Sequence, residues 1–303
     1  MHKITTLDDN WMGRPKSIGT ALLESDGHRA IVDPGPSSTL DTLKKQLRAH
    51  GASVSSLDAI LLTHIHLDHA GATGALVQEN PSLAVYVHDL GAPHMIDPSK
   101  LLASAARLWP DTLQQLFGEP VPVPAENLRI LEGGETIPLG SRKIEVAYTP
   151  GHASHHVSYF EDAEGVAFVG DTTGVKIEGH SYAMPATPPP DIDLKIWDGS
   201  FAAILERKPK RLFLTHFGYS DNPAAHIAQF RERLHRWMEM TVKILQSFPS
   251  DEAAMESFMA KARAEINEHL LGADVEQYIQ TAGLNLSFLG LARHARKRAQ
   301  GAS

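Results

Sequence analysis

The sequence predicts a layered α/β fold followed by a helical C-terminal extension. Three observations carry this. Short apolar runs alternate with amphipathic segments between residues 19 and 88, the strand–helix–strand pattern of an α/β domain. Between residues 128 and 172 apolar runs follow one another across short turns, with no helical stretch. Beyond residue 221 the apolar spacing becomes three and four, the period of a helix.

Taken in order, "ALLESDGHRAIVDPGP" reads as a hairpin, because Asp26-Gly27 is a strong two-residue turn signal between apolar runs. "SSTLDTLKKQLRAHG" reads as a helix capped by Ser37 or Ser38, with Leu40, Leu43 and Leu47 on one face and Gly51 placed to end it. "DAILLTH" is a short strand, "GATGALVQEN" a helix that stops before Pro81, and "LAVYVH" another strand. "KIEVAYT", "HHVSYF", "GVAFVGD" and "RLFLTH" supply later strands. Residues 178–194 form a Pro-rich loop too irregular for a simple connector. A long helix should start at Pro223, capped by Asp221 or Asn222, with an apolar stripe from Ile227 to Phe248. Two further helices are expected over about 251–271 and 274–298, the second broken at Gly283. The chain thus divides into an α/β domain, residues 1–221, and a helical extension, residues 222–303. The extension is expected to pack on that domain or to form a homodimer interface.

Composition narrows the function. Of 303 residues, 42% are hydrophobic and 21% charged, so a buried core is expected. The net charge of −8 argues against a nucleic-acid partner. The short basic run Arg293, Arg296, Lys297, Arg298 suits the C-terminal end of a helix dipole. There is no cysteine, which excludes disulfides, thiolate ligands and a cysteine nucleophile. The N-terminus lacks the apolar core of a signal peptide, and no apolar run reaches membrane-spanning length. A cytoplasmic location without membrane contact is the expectation.

The chemistry concentrates in "LLTHIHLDHAGATG", residues 61–74. His64, His66, Asp68 and His69 follow directly on an apolar strand, at the end where open α/β sheets place their sites. Imidazole and carboxylate are ligands for zinc, and also for iron or manganese. Three more strands end on the same residue types: His152 in "YTPGHASHH", Asp171 in "FVGDTTG" and His216 in "LFLTHFG".

Together these motifs resemble the metallo-β-lactamase fold hydrolases. The likeness rests on H-x-H-x-D-H at 64–69, T-P-G-H at 149–152, G-D at 170–171, the histidine of "LTHFG", and Asp33 in "IVDPG"; it covers about residues 15–220. It implies a four-layer αββα sandwich with two divalent metal ions, zinc being expected, at one edge. His64, His66 and His152 would hold one ion. Asp68, His69 and His216 would hold the other, and Asp171 would bridge them. Asp33 would orient a ligand histidine. A hydroxide shared by the metals would be the nucleophile, and Asp68 would orient it or pass a proton to the leaving group. His155 and His156 are read as structural or supporting. Tyr182 and Tyr219 are candidate substrate contacts.

With no cysteine ligand and with Asp171 in place, the pattern leans to the thioesterase, lactonase and nuclease branches. "THFG" departs from the G-H-E-Y usual in hydroxyacylglutathione hydrolases. The leading expectation is hydrolysis of a small ester, lactone or thioester. The alternatives are a phosphodiesterase or nuclease, a β-lactamase-like amide hydrolase, and a binding protein whose metals are relics.

Overall fold

The computed structural model describes residues 2–301. Its first sheet runs in the order β1 (His2–Asp8), β2 (Gly19–Ser25), β3 (His28–Val32), β4 (Ala59–Leu61), β5 (Ala84–His88), β6 (Leu128–Leu131). The first three strands are antiparallel, and β3 to β6 are parallel. Parallel neighbours need crossovers. These are α1 (Leu40–Ala49) between β3 and β4, then α2 (Leu67–Ala70) and α3 (Thr73–Glu79) between β4 and β5. Three short helices, α4 (Ala92–Ile96), α5 (Ser99–Leu108) and α6 (Leu113–Phe117), fill the stretch before β6.

The second sheet holds β7 (Thr136–Leu139), β8 (Arg142–Tyr148), β9 (Val157–Glu161) and β10 (Val166–Phe168) in sequence order. After α7 (Leu194–Glu206) it continues with β11 (Arg211–Leu214), parallel to β10, and β12 (Gly218–Ser220). The inner faces of the two sheets meet in a core that includes Leu23, Val32, Leu61, Ile144, Val157, Phe168 and Phe213. Leu22, Ile31 and Ile60, on the outer face of the first sheet, pack with Leu43 and Leu47 of α1 and Leu76 and Val77 of α3. The outer face of the second sheet, with Ala167, Leu212 and Leu214, packs on Trp197 and Phe201 of α7. The four-layer αββα sandwich follows from that alternation of inward and outward side chains.

Four helices close the chain: α8 (Pro223–Ser247), α9 (Asp251–His269), α10 (Ala273–Ala282) and α11 (Leu284–Ala299). Asn222 caps α8 by accepting the Ala225 N–H, and Gly283, at φ 65°, separates the last two. Their apolar stripes are continuous with the outer core of the second sheet: Phe230, Trp237, Phe258 and Phe288 are all buried there with Trp197.

The structure departs from sequence expectation in three places. β1 was not anticipated, because "HKITTLD" carries apolar residues only at Ile4 and Leu7; pairing with β2 makes it an edge strand all the same. α7 was not anticipated either; Asp193 caps it by accepting from the N–H groups of Lys195 and Ile196. Thr39, not Ser37 or Ser38, precedes α1, and it makes no side-chain cap. The Ser37 hydroxyl instead donates to the Gly71 carbonyl and that of Ser38 to the Leu116 carbonyl, tying the loop to its neighbours.

Candidate metal centre

The residues following β3, β4, β8, β10 and β11 converge at one edge of the sandwich. Asp33, His64, His69, His152, Asp171 and His216 are buried there; His66 and Asp68 are partly exposed. The backbone is shaped for this approach. Gly170 has φ 46°, and a Cβ on it would lie 2.5 Å from Thr63 Oγ1, so the Gly-Asp step brings Asp171 against β4 where no larger residue fits.

Asp33 organises one side of the cluster. Its Oδ1 accepts the Thr63 N–H at 2.8 Å. Its Oδ2 accepts the hydroxyls of Thr63 at 2.7 Å and Thr215 at 2.9 Å, and faces His69 Nδ1 at 2.8 Å. A carboxylate only accepts, so His69 carries a proton on Nδ1 and turns Nε2 towards the cluster. The same reasoning fixes other tautomers. His152 Nδ1 donates to the Ala186 carbonyl at 2.9 Å, and His216 Nδ1 to the Ser17 carbonyl at 2.8 Å. Thr63 gives its one hydroxyl proton to Asp33, so at 3.1 Å it accepts from His64 Nδ1. With Nδ1 committed in this way, all four imidazoles aim Nε2 at the cluster.

The inward atoms form two overlapping donor groups. His66 Nδ1 lies 3.0 Å from both His64 Nε2 and His152 Nε2. His216 Nε2 lies 3.2 Å from Asp68 Oδ2, with His69 Nε2 3.9 Å from the same oxygen. Asp171 faces both groups: Oδ2 is 3.5 Å from His152 Nε2, and Oδ1 is 3.3 Å from His69 Nε2 and 3.7 Å from His216 Nε2. Within each of the sets His64–His66–His152, Asp68–His69–His216 and His64–His69–Asp171 the ligand atoms lie within 4.8 Å of one another.

These contacts do not satisfy one another. His69 Nε2 and Asp171 Oδ1 are buried with no hydrogen-bond partner. A ring nitrogen and a carboxylate oxygen at that distance repel unless a proton or a metal ion lies between them. Burial, and then the neighbouring imidazoles, hold His64 and His66 well below the ordinary imidazole range, His66 at about 3. Burial alone would raise Asp171, but His69, His216 and His152 outweigh it and keep the carboxyl well below the usual carboxylate range. Burial would lower His69 and His216 too, but Asp171 and Asp68 outweigh it and hold both above the ordinary imidazole range, so without metal these rings attract protons. Neutral imidazoles and ionised carboxylates are the metal-binding forms; a divalent cation at the carboxylates would take the place of those protons, and the donor set fits one.

His156 was read as a supporting residue, and its Nε2 accepts the Asp171 N–H at 3.2 Å. His155 lines the cavity above the cluster. Tyr182 and Tyr219, candidate substrate contacts on sequence, stand apart from that cavity. The Tyr182 hydroxyl donates to Glu265, and its ring lies 4.0 Å beneath the Arg233 guanidinium. Tyr219 packs on Phe213 and carries Arg211 over its ring. Thr63 and Thr215 were missed, although a signal existed: "LTH" occurs twice, at 62–64 and 214–216, each time just before a clustered histidine.

The family model of the metallo-beta-lactamase superfamily matches residues 15–216, two thirds of the chain. The chain belongs to the metallo-beta-lactamase superfamily. It is 30% identical over 191 residues to the metallo-beta-lactamase fold-containing protein ST1585 of Sulfurisphaera tokodaii, a match spanning 62% of this chain and 68% of that protein. It is 28% identical over 170 residues to a hydroxyacylglutathione hydrolase of Legionella pneumophila, a match spanning 56% of this chain but only 50% of that enzyme. The solved structure of the archaeal superfamily protein from Sulfolobus tokodaii superposes with a TM-score of 0.68 at 23% identity, over 96% of this chain and 98% of that one. That likeness speaks to the fold and takes in the C-terminal helices. By family, this metallo-beta-lactamase superfamily chain is a metal-dependent hydrolase with a His/Asp cluster that can hold metal. No helix among the described residues is long and apolar enough to cross a membrane.

Proposed function

We propose that the protein is a binuclear hydrolase of ester, thioester or lactone carbonyls. His64, His66 and His152 hold one ion, Asp68, His69 and His216 the second, and Asp171 is shared. The observation that carries the reading is Asp171, whose two oxygens face different histidine groups at 3.3 and 3.5 Å. When bound, two divalent ions, zinc before iron or manganese, would supply a nucleophile from water at neutral pH and draw charge from the carbonyl oxygen. The chain's own contribution is positional. Asp33, Ala186 and Ser17 fix three ligand rings through their Nδ1 atoms. Asp68 is the carboxylate best placed to touch substrate, its side chain being 23% exposed against 6% for Asp171 and 0% for Asp33. Its role is to take the proton released as water adds to the carbonyl carbon and return it to the departing oxygen or sulfur.

The relatives named hydroxyacylglutathione hydrolases support carbonyl hydrolysis. Among the described residues, Lys100 is the lone lysine or arginine on the cavity wall, which disfavours a phosphodiester substrate. The test is metal analysis by mass spectrometry with a substrate panel. Close to two metals per chain and turnover of at least one carbonyl class are expected. Cleavage of bis(p-nitrophenyl) phosphate with no carbonyl substrate turned over would overturn the reading.

A further inference from the structure

The cavity above the cluster encloses about 680 Å³. Its polar end is the donor set itself, with His66, Asp68, Asp171 and His216 on the wall. The rest of its lining is largely apolar. Ile65 sits beside the ligands; Leu101, Leu108, Trp109 and Phe117 come from the α5–α6 side, and Leu286 from α11 opposite. Leu101 and Leu108 are seven residues apart with Ala105 between, so they share one face of α5, a strip about 10 Å long. The strip is backed by packed rings: the Trp109 and Phe117 centroids are 4.9 Å apart, and Trp11 and Phe117 stack at 6.0 Å. Leu101, Leu108 and Trp109 nevertheless keep part of their surface open to the cavity. A concave apolar surface left open beside a polar reactive end is the form of a ligand site.

We infer that the substrate carries a linear apolar chain next to its scissile carbonyl bond, and that this chain lies along the Leu101–Leu108 face of α5 against Leu286. The inference rests on the hydrolase reading for the bond that is broken and on the groove for the chain. A strip of about 10 Å accepts roughly eight methylenes in extended form. Each fully buried methylene contributes about 0.8 kcal/mol, close to fourfold in kcat/KM or affinity.

The experiment uses the purified, metal-loaded full chain and three ligand series. In p-nitrophenyl esters of two to twelve acyl carbons, and in alkyl acetates of matched length, kcat/KM should rise at least about tenfold across one series before levelling. The series that rises identifies which side of the bond carries the chain. Calorimetry with 1-alkanols of four to ten carbons, which have no scissile bond, should show affinity rising with length. Leu108→Glu, on a partly exposed helix face, should flatten the long-chain gain. Hydrolysis with flat profiles in both ester series, and alkanol affinity independent of length, would overturn the inference and leave the hydrolase reading standing. Length-dependent alkanol binding without hydrolysis would do the reverse.

Discussion

Replacing Asp33 by Asn exchanges one oxygen for an amide nitrogen and leaves the side chain's shape intact. The backbone does not confound the test: Asp33 has φ 49°, a left-handed conformation that Asn also tolerates. What changes is the count of acceptors. The carboxylate serves four donors, one at Oδ1 and three at Oδ2. An amide has one accepting oxygen. If it takes the Oδ2 place, the new NH2 faces the Thr63 N–H. If it takes the Oδ1 place, the NH2 faces His69 Nδ1 and two threonine hydroxyls. The hydroxyls can rotate to accept, but the backbone N–H cannot, nor can the imidazole N–H while Nε2 is kept as the metal-binding lone pair. One buried donor is thus left unpaired in either orientation, at about 1–3 kcal/mol, and the remaining bonds lose their ionic character. A total of about 2–4 kcal/mol in stability is expected.

The consequence at the metal centre is separable from that loss. His69 is buried and depends on Asp33 to hold its proton on Nδ1, so a weaker partner lets the ring reorient and reduces the basicity of Nε2. Removing such a supporting partner typically costs about 10–100-fold in metal affinity. Zinc affinity would be measured by competition with a chromophoric chelator, and stability by chemical denaturation of the metal-free protein. If Asp33→Asn bound metal within about twofold of the parent, the support assigned to Asp33 would be refuted, whatever its stability.

Other expectations follow from separate parts of the molecule. Asp171→Ala should lower bound metal, read by mass spectrometry, to one ion per chain or fewer; two full equivalents would contradict a shared ligand. His226 is buried with Nε2 donating to the Thr173 carbonyl, and burial lowers its pKa from 6.5 to about 4. The unfolded chain therefore binds a proton between those values that the folded chain does not. The stability is present above pH 6.5 and is lost as pH falls towards 4, by about 3 kcal/mol. His226→Gln keeps an N–H donor and should show a shallower fall over that window; parallel curves would count against it. A Cβ at Gly290 would fall on the Thr187 carbonyl oxygen, so Gly290→Ala should lower the melting temperature by several degrees, whereas Gly199, with open space around it, should accept alanine. Removing residues 222–301 would uncover Trp197 and Phe201 of α7, which pack against Phe230, and aggregation of that truncated chain is expected.

The parts of the fold that the sequence reveals are those written in local code. The Asp26-Gly27 turn, the Asn222-Pro223 helix start and the break at Gly283 each depend on one or two residues acting on their own backbone. β1 and α7 could not be read that way. β1 is held by pairing with β2 across its full length, and α7 by burying Trp197 under the second sheet. The metal cluster was legible because ligand chemistry limits residue type, so His64, His66, Asp68, His69, His152, Asp171 and His216 each announce themselves at a strand end. Tyr182 could not be assigned from sequence. A tyrosine in a Pro-rich loop reads alike whether it faces a cavity or, as here, Arg233 and Glu265 of the helices.

That loop joins the helical extension to the chemistry. The Ala186 carbonyl fixes the tautomer of His152, and its neighbours in the chain are held from the other side. Thr187 Oγ1 donates to the Ser287 carbonyl of α11, and the Ala183 carbonyl accepts from Arg233 of α8 at 2.7 Å. The Tyr182 carbonyl accepts from the Tyr278 hydroxyl of α10, whose oxygen also takes the Ile177 N–H. An irregular segment with few ladder hydrogen bonds of its own would otherwise leave Ala186 free to drift, and His152 with it. The helices supply the missing partners while Leu286 closes the cavity opposite α5. One extension thus positions the His152 ring and lines the cavity. A loosened α11 should therefore weaken metal binding at His152 as well as long-chain selectivity, two effects that damage to the groove alone would not couple.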